Sequence, residues 1–314
     1  MRAFVFPGQG SQKIGMGKDL ADSFPAAKAV FDEVDEALGE TFSALIFEGS
    51  DDDLKLTENT QPALMAVSLA AVRALETEFG VQLKDHGSFV AGHSLGEYSA
   101  LAAVGALSIA DTARLLRLRG KAMQSAVPVG QGAMAAVLGL TMEQVEAVLG
   151  DTDSALGVAE VANDNANGQV VISGATDAIA AASEAMKAAG AKRALPLPVS
   201  APFHCSLMQP AADAMAEALA SASISAPTLP VVANVLAEST SDPARTADLL
   251  VQQVTGRVRW RESVEWMAAQ GVTELVELGA GAVLAGLTKR IAPDVAAQSV
   301  GTAEGLRAFA ESLR

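Results

Sequence analysis

Apolar positions along the chain fall into two patterns. Short unbroken runs closed by glycine- or asparagine-rich turns predict strands buried on both faces, and longer stretches with apolar residues every three or four positions predict helices. The chain opens on such a strand, Arg2 to Phe6, ending in the turn Pro7-Gly8-Gln9-Gly10-Ser11-Gln12. Pro62 to Phe79, with Ala63, Val67, Leu69, Val72 and Leu75 at helical spacing, predicts a long packed helix that Gly80 ends. Ser88-Phe89-Val90-Ala91 is a short strand, followed by a sharp turn from Gly92 to Gly96 and a small-residue helix from Glu97 through Ala106. Two further apolar runs, Leu229 to Asn234 and Glu274 to Gly279, suit a doubly wound parallel sheet.

The pattern changes between about Ala133 and Leu197. It predicts strand (Ala133 to Leu138), helix (Thr141 to Leu149), strand (Gly157 to Ala162), a turn at Asn165-Ala166-Asn167-Gly168, strand (Gln169 to Ser173), helix (Thr176 to Ala189) and strand (Lys192 to Leu197). Thr141 and Gln144 have capping-box spacing, Thr176 is placed to cap the second helix, and Gly190 to end it. The expected fold class is therefore α/β: a large hydrolase-like parallel-sheet domain, residues 1–128 and 199–314, with an inserted ferredoxin-like (βαββαβ) subdomain, residues 129–198. Gly130-Gln131-Gly132 and Pro196 to Pro202 are its expected hinges.

Composition narrows the function. With 314 residues, 50% of them hydrophobic, the chain can bury a large core. Its opening apolar run is too short for a signal peptide and no stretch reaches the roughly 20 apolar residues of a spanning helix, so the cytoplasm is the expected compartment. The single cysteine, Cys205, allows no internal disulfide and no multi-thiolate metal site, and no metal is expected. A net charge of -15 without a Lys/Arg run disfavours nucleic acid.

The strand, Gly92-His93-Ser94-Leu95-Gly96 turn and helix form a nucleophile-elbow context, against the plainer reading of a glycine-flanked turn. A serine hydroxyl needs a base within hydrogen-bond reach and donors for the oxyanion formed on attack. The chain has three histidines. His93 adjoins Ser94 in the turn, where neighbouring side chains diverge, and His86 precedes the strand, near the opposite edge of the sheet. His204, in the proline-containing loop Ser200-Ala201-Pro202-Phe203-His204-Cys205, remains as the candidate base. The backbone N–H of Leu95 is the first oxyanion donor and that of Gln9 the candidate second; Gly8 and Gly10 would let Gln9 approach a ligand, although the same run also makes an ordinary βα turn. It is no dinucleotide fingerprint, because Lys13 stands where the third glycine belongs.

On a helix from Asp111 to Ser125, Arg114, Arg117 and Lys121 share one face, while Leu115, Leu116, Leu118, Ala122 and Met123 surround Arg119. A desolvated guanidinium calls for a carboxylate, either a protein Asp/Glu or an acidic substrate such as a malonyl group.

Taken together, Pro7-Gly8-Gln9-Gly10-Ser11-Gln12, Gly92-His93-Ser94-Leu95-Gly96-Glu97, Arg119-Gly120-Lys121-Ala122-Met123, Pro202-Phe203-His204 and Leu284-Ala285-Gly286-Leu287 resemble malonyl-CoA:acyl carrier protein transacylases and the related acyltransferase domains of fatty acid and polyketide synthases. The resemblance runs nearly end to end. It implies ping-pong transfer of malonyl from malonyl-CoA, through Ser94, to the phosphopantetheine thiol of acyl carrier protein in fatty acid biosynthesis, with no cofactor beyond the coenzyme A thioester that is the substrate. It implies that Arg119 holds the malonate carboxylate, that Gln9 and Leu95 form the oxyanion hole, and that a backbone or amide oxygen of Gln253, next to Gln252, orients His204. Phe203 resembles the form that favours malonyl over methylmalonyl units. The sequence departs from the family pattern at Gly279-Ala280-Gly281-Ala282, which bears on loop stiffness and carrier docking.

Three alternatives stand beside this reading. One is a serine esterase or thioesterase with Asp151, Asp153, Asp164 or Asp177 as its acid; another is a discrete acyltransferase of a polyketide pathway; the third is a non-catalytic carrier-binding module. A monomer is expected, with the acidic carrier docking on local cations such as Lys187, Lys192 and Arg193, or Lys289 and Arg290.

Overall fold

Ten strands divide between two sheets in the structure, a computed structural model that describes residues 1–199 and 201–314. Ser200, in the candidate-base loop and in the second expected hinge, lies outside the described residues. The first sheet contains β1 (Arg2–Phe6), β2 (Phe89–Gly92), β7 (Val231–Ala233), β8 (Glu238–Thr240), β9 (Glu274–Leu278) and β10 (Ala296–Val300), in the order β10-β9-β1-β2-β7-β8. Its first five strands are parallel and β8 is an antiparallel edge. Alternation along β1 shows why the sequence demands two covered faces: Phe4 and Phe6 enter the main core, while Ala3 and Val5 enter a second core with Trp260, Val264 and Leu284.

The Thr57–Glu78 helix fills the main core and is buried along most of its length. It starts five residues before Pro62, the expected first residue. Its opening turn is anchored from the side, by Thr60 Oγ1 donating to the Leu54 carbonyl and Asn59 Nδ2 to that of Asp53. That anchoring accommodates a proline inside the helix, where its missing N–H would otherwise disfavour it.

The second sheet runs β4-β5-β3-β6, all antiparallel, from β3 (Gly132–Leu138), β4 (Ala159–Ala166), β5 (Gln169–Ala175) and β6 (Arg193–Pro196). Helices Met142–Gly150 and Thr176–Ala188 pack on it around Val137, Val145, Ile172, Ile179 and Met186, which gives the ferredoxin-like βαββαβ order. The Thr141/Gln144 capping box forms. Thr176 does not cap: it is the first residue of its helix and its hydroxyl donates to Gly130 O.

Strand β4 runs on to Ala166, past its expected end at Ala162 and into the expected turn, which shortens to Asn167-Gly168, because it is stitched to the first sheet's side of the molecule. Val258 N donates to Ala162 O and Asp164 N to Val258 O, and Arg261 pairs with the buried Asp164 carboxylate. Register irregularities between Val161 and Asn163 and between Asp164 and Ala166 re-aim this strand, which carries Asn163 to the cleft and Asn165 to the His93 ring.

Candidate active site

The elbow is set by close backbone approach. A Cβ on Gly92 would lie 1.9 Å from the carbonyl of Gly96, and one on Gly96 would lie 2.3 Å from Phe6 O, so neither position admits a side chain without moving backbone. Ser94 between them has φ 53 and ψ -111, a sparsely populated conformation that costs on the order of 1–3 kcal/mol and is held only by its surroundings. That backbone raises the hydroxyl over the N-terminus of the Leu95–Ala103 helix, whose first N–H groups have no partner inside the helix.

His204 also has a positive φ, 57, which turns its ring from the Pro202 loop into the cleft. Its Nε2 is 2.7 Å from Ser94 Oγ and its Nδ1 is 2.9 Å from the backbone oxygen of Gln253. A carbonyl only accepts, so Nδ1 carries the proton and Nε2 is left to accept from the serine hydroxyl. Burial, and next the Arg119 charge, lower the His204 pKa from 6.5 to about 3, so the ring stands neutral. His86 ends a short helix before β2, and His93 is engaged elsewhere, donating from Nε2 to Asn165 Oδ1 at 2.8 Å. Elimination among three histidines therefore picked the ring that touches Ser94.

Arg119, 1% exposed, donates from Nη1 to Gln61 Oε1 at 2.8 Å, and from Nη2 to Gln253 Oε1 at 2.8 Å and to Ser94 Oγ at 3.1 Å. Its Nε–H has no acceptor, and no ion pair among the described residues includes it. Of its two expected partners, the protein carboxylate is absent from its contacts. Leu118, expected in its apolar shell, is 39% exposed, whereas Leu115, Leu116 and Met123 are buried.

A cleft opens on these groups, lined by Gln9, Leu95, Met134, Leu197 and Phe203 together with Ser94, Arg119 and His204. The backbone N–H groups of Leu95 and Gln9 donate to no described residue, which leaves both open to a ligand oxygen. Gln253 proves more central than a single oxygen: Nε2 also donates to Ser94 O and to Glu97 Oε2. Gln252 instead bonds Asp248 at the surface. The sequence reading passed over Gln61, Asn165 and Asn234, whose Oδ1 accepts from Ser94 N at 2.8 Å, because nothing local marks an amide for tertiary use. Glu97 carried a usable signal, a lone carboxylate in an otherwise apolar small-residue helix.

Such an arrangement can activate a hydroxyl, hold an oxyanion and bind an anionic group beside the reacting carbon. No carboxylate hydrogen-bonds His204 among the described residues; of the acids weighed for an esterase, Asp164 pairs with Arg261 and Asp153 bonds Ala155 N.

Comparison with known proteins gives one answer. Residues 3–305 match the family described as acyl transferase domain. The malonyl CoA-acyl carrier protein transacylases of Escherichia coli K12 and Bacillus subtilis 168 are each 47% identical, over 98% and 92% of this chain and 98% and 90% of their own lengths. The solved acyl-carrier-protein-S-malonyltransferase of Bartonella henselae is 55% identical with a TM-score of 0.97 over 99% of both chains. A malonyl-transacylase solved in complex with a type II PKS acyl-carrier protein is 44% identical, with a TM-score of 0.95 over 99% of both chains.

Proposed function

The chain belongs to the acyl transferase family, and from that premise we propose that it moves a malonyl group from malonyl-CoA to the phosphopantetheine thiol of acyl carrier protein, through an ester on Ser94. The observation that carries this reading is a buried guanidinium with an unpartnered N–H, 3.1 Å from a serine hydroxyl that also meets a neutral imidazole. An acyl group attacked by Ser94 and carrying a carboxylate two carbons away places that carboxylate against Arg119.

In the first half-reaction Ser94 Oγ gives its proton to His204 Nε2 and bonds to the thioester carbon. The resulting oxyanion accepts from the N–H groups of Leu95 and Gln9, and its collapse breaks the C–S bond. The coenzyme A sulfur leaves with the proton from His204. In the second half the carrier thiol gives its proton to His204, attacks the ester and regenerates Ser94. Gln253 holds the imidazole in the tautomer that both halves need. Phe203, beside His204 in the cleft, crowds the position of an α-methyl group, which favours malonyl over methylmalonyl by a modest margin. No cofactor enters this chemistry, because the thioester is the activated substrate.

We place the reaction in fatty acid biosynthesis, in the cytoplasm; no described helix is long and apolar enough to cross a membrane. One observation favours the second reading, a discrete acyltransferase of a polyketide pathway: the relative solved with a type II PKS acyl-carrier protein. For the acidic carrier, Lys192, Arg193 and Arg290 meet around one surface cavity between the second sheet and the Val283–Ile291 helix, whereas Lys187 is paired with Glu184.

Incubation with malonyl-CoA should add one malonyl mass to the intact protein, and holo-carrier should remove it. Ser94→Ala should form no adduct, and an adduct retained in that variant would refute Ser94 as nucleophile.

A further inference from the structure

Two of the amides that shape the site, Gln253 and Asn234, converge on a side chain that the proposed chemistry does not use. Glu97 is 3% exposed and lies in the first turn of the helix that follows Ser94. One of its oxygens, Oε2, accepts from Gln253 Nε2 at 2.7 Å and from Asn234 N at 3.0 Å, while Oε1 accepts from no described residue. Both partners continue to the reacting groups. Asn234 Oδ1 accepts from Ser94 N at 2.8 Å and its Nδ2 donates to Gly92 O at 2.7 Å, which clamps both ends of the elbow. Gln253 Nε2 donates to Ser94 O at 3.0 Å, and its Oε1 accepts from Arg119 Nη2 at 2.8 Å.

An amide has one oxygen and one nitrogen, and the site needs each on a fixed side. Reversed, Gln253 would point an NH2 group at the Arg119 guanidinium, donor against donor, and the fork would lose its anchor. Two acceptors on the far side oppose the reversal, the Ser94 carbonyl at 3.0 Å and Glu97 Oε2 at 2.7 Å, and the second is the side chain that can be varied. We propose that Glu97 is a positioning residue for acyl selection: by accepting from Gln253 and Asn234 through one oxygen, it fixes the Gln253 amide and with it the Arg119 fork that takes the substrate carboxylate. It touches neither the substrate nor a reacting atom. Its position is unfavourable for the charge, since burial above all pushes its pKa up to about 7.

The inference rests on the malonyl-transfer reading, and two conservative variants test it. Glu97→Gln keeps an oxygen where Oε2 stands and puts its NH2 where Oε1 has no partner, but removes the charge. Glu97→Asp keeps the charge but withdraws it by one methylene, out of reach of Gln253. The quantity measured is the ratio of kcat/KM for malonyl-CoA over acetyl-CoA, on variants shown by thermal melting to be folded. Glu97→Gln should stay within about 3-fold of the wild-type ratio and Glu97→Asp should lower it by about 10-fold or more, chiefly through KM for malonyl-CoA. The opposite order would assign the effect to charge and overturn the proposal. So would equal falls for both acyl groups, which a purely structural role predicts. Failure of the underlying reading looks different: the wild-type enzyme itself would then show no malonyl preference.

Discussion

Replacing Arg119 by alanine removes the one cation at the bottom of the cleft. A carboxylate that replaces Ser94 Oγ as acceptor would take the Nη2–H now directed at that oxygen, and a bidentate pairing would add the Nε–H, which is buried without an acceptor. Charge-assisted hydrogen bonds contribute about 1.5–3 kcal/mol each, so two are worth about 3–6 kcal/mol. At about 1.4 kcal/mol per decade, kcat/KM for malonyl-CoA should fall by about 10²–10⁴. Acetyl-CoA has no carboxylate to lose, so its kcat/KM should stay level or rise. The assay is transfer to holo-carrier from each thioester, with Arg119→Lys as a second variant that keeps the charge and loses the planar fork. Equal losses for malonyl and acetyl would refute the clamp and leave Arg119 a structural residue.

Three further outcomes follow from the geometry. Gly92→Ala should abolish acylation or folding, because its Cβ would meet the Gly96 backbone at 1.9 Å; an active, folded variant in an acylation assay would contradict the elbow geometry. His204 is held at about 3 rather than 6.5, so between these values the unfolded chain binds a proton that the native chain refuses, and native stability falls as pH drops. His204→Gln should therefore gain about 2 kcal/mol on wild type in urea melts between neutral pH and about pH 5, and a pH-independent difference would show that the imidazole is not buried neutral. Reversing Arg193 and Arg290 to glutamate should weaken carrier binding about 10-fold at low salt and leave the rate of acylation by malonyl-CoA unchanged; unaltered affinity would move the docking surface elsewhere.

Much of the site was readable because its signals are local or exclusive. Ser94 sits in a strand-turn-helix pattern whose glycines mark it locally, Gly92 being enforced by Gly96 four residues on and Gly96 by the neighbouring strand at Phe6. His204 followed from the scarcity of histidine, and Arg119 from a charge at an apolar angle of a helix. The parallel strands and the βαββαβ insertion were likewise legible, because burial on two faces writes continuous apolar runs. What the sequence hid depends on tertiary pairing. The extension of β4 to Ala166 exists because Val258 bonds its backbone, and nothing near Asn163 announces that partner. Gln61 and Asn234 look like ordinary polar residues until the fold brings them within 3 Å of Arg119 or Ser94. The Thr57–Glu78 helix begins ahead of Pro62, although proline suits a first helical residue, because side-chain bonds to Asp53 and Leu54 stabilise an earlier turn.

A carbonyl rather than a carboxylate behind the imidazole suits the proposed reaction. Either acceptor fixes the Nδ1–H tautomer, but only a carboxylate would add full charge stabilisation to the imidazolium. Thioester exchange asks less of the base than amide hydrolysis, because the leaving and entering groups are both thiols, with pKa values near 8.5 rather than those of amines. The depressed basicity of His204 has two sources, burial and the Arg119 cation. A malonyl carboxylate on Arg119 offsets the second, so the correct acyl group strengthens the base as it binds, while acetyl meets an imidazole still weakened by an uncompensated guanidinium. On the proposed mechanism, recognition and activation run through one side chain. That is why losing Arg119 should penalise malonyl transfer heavily and, by freeing His204 of the cation, favour acetyl transfer in the same variant.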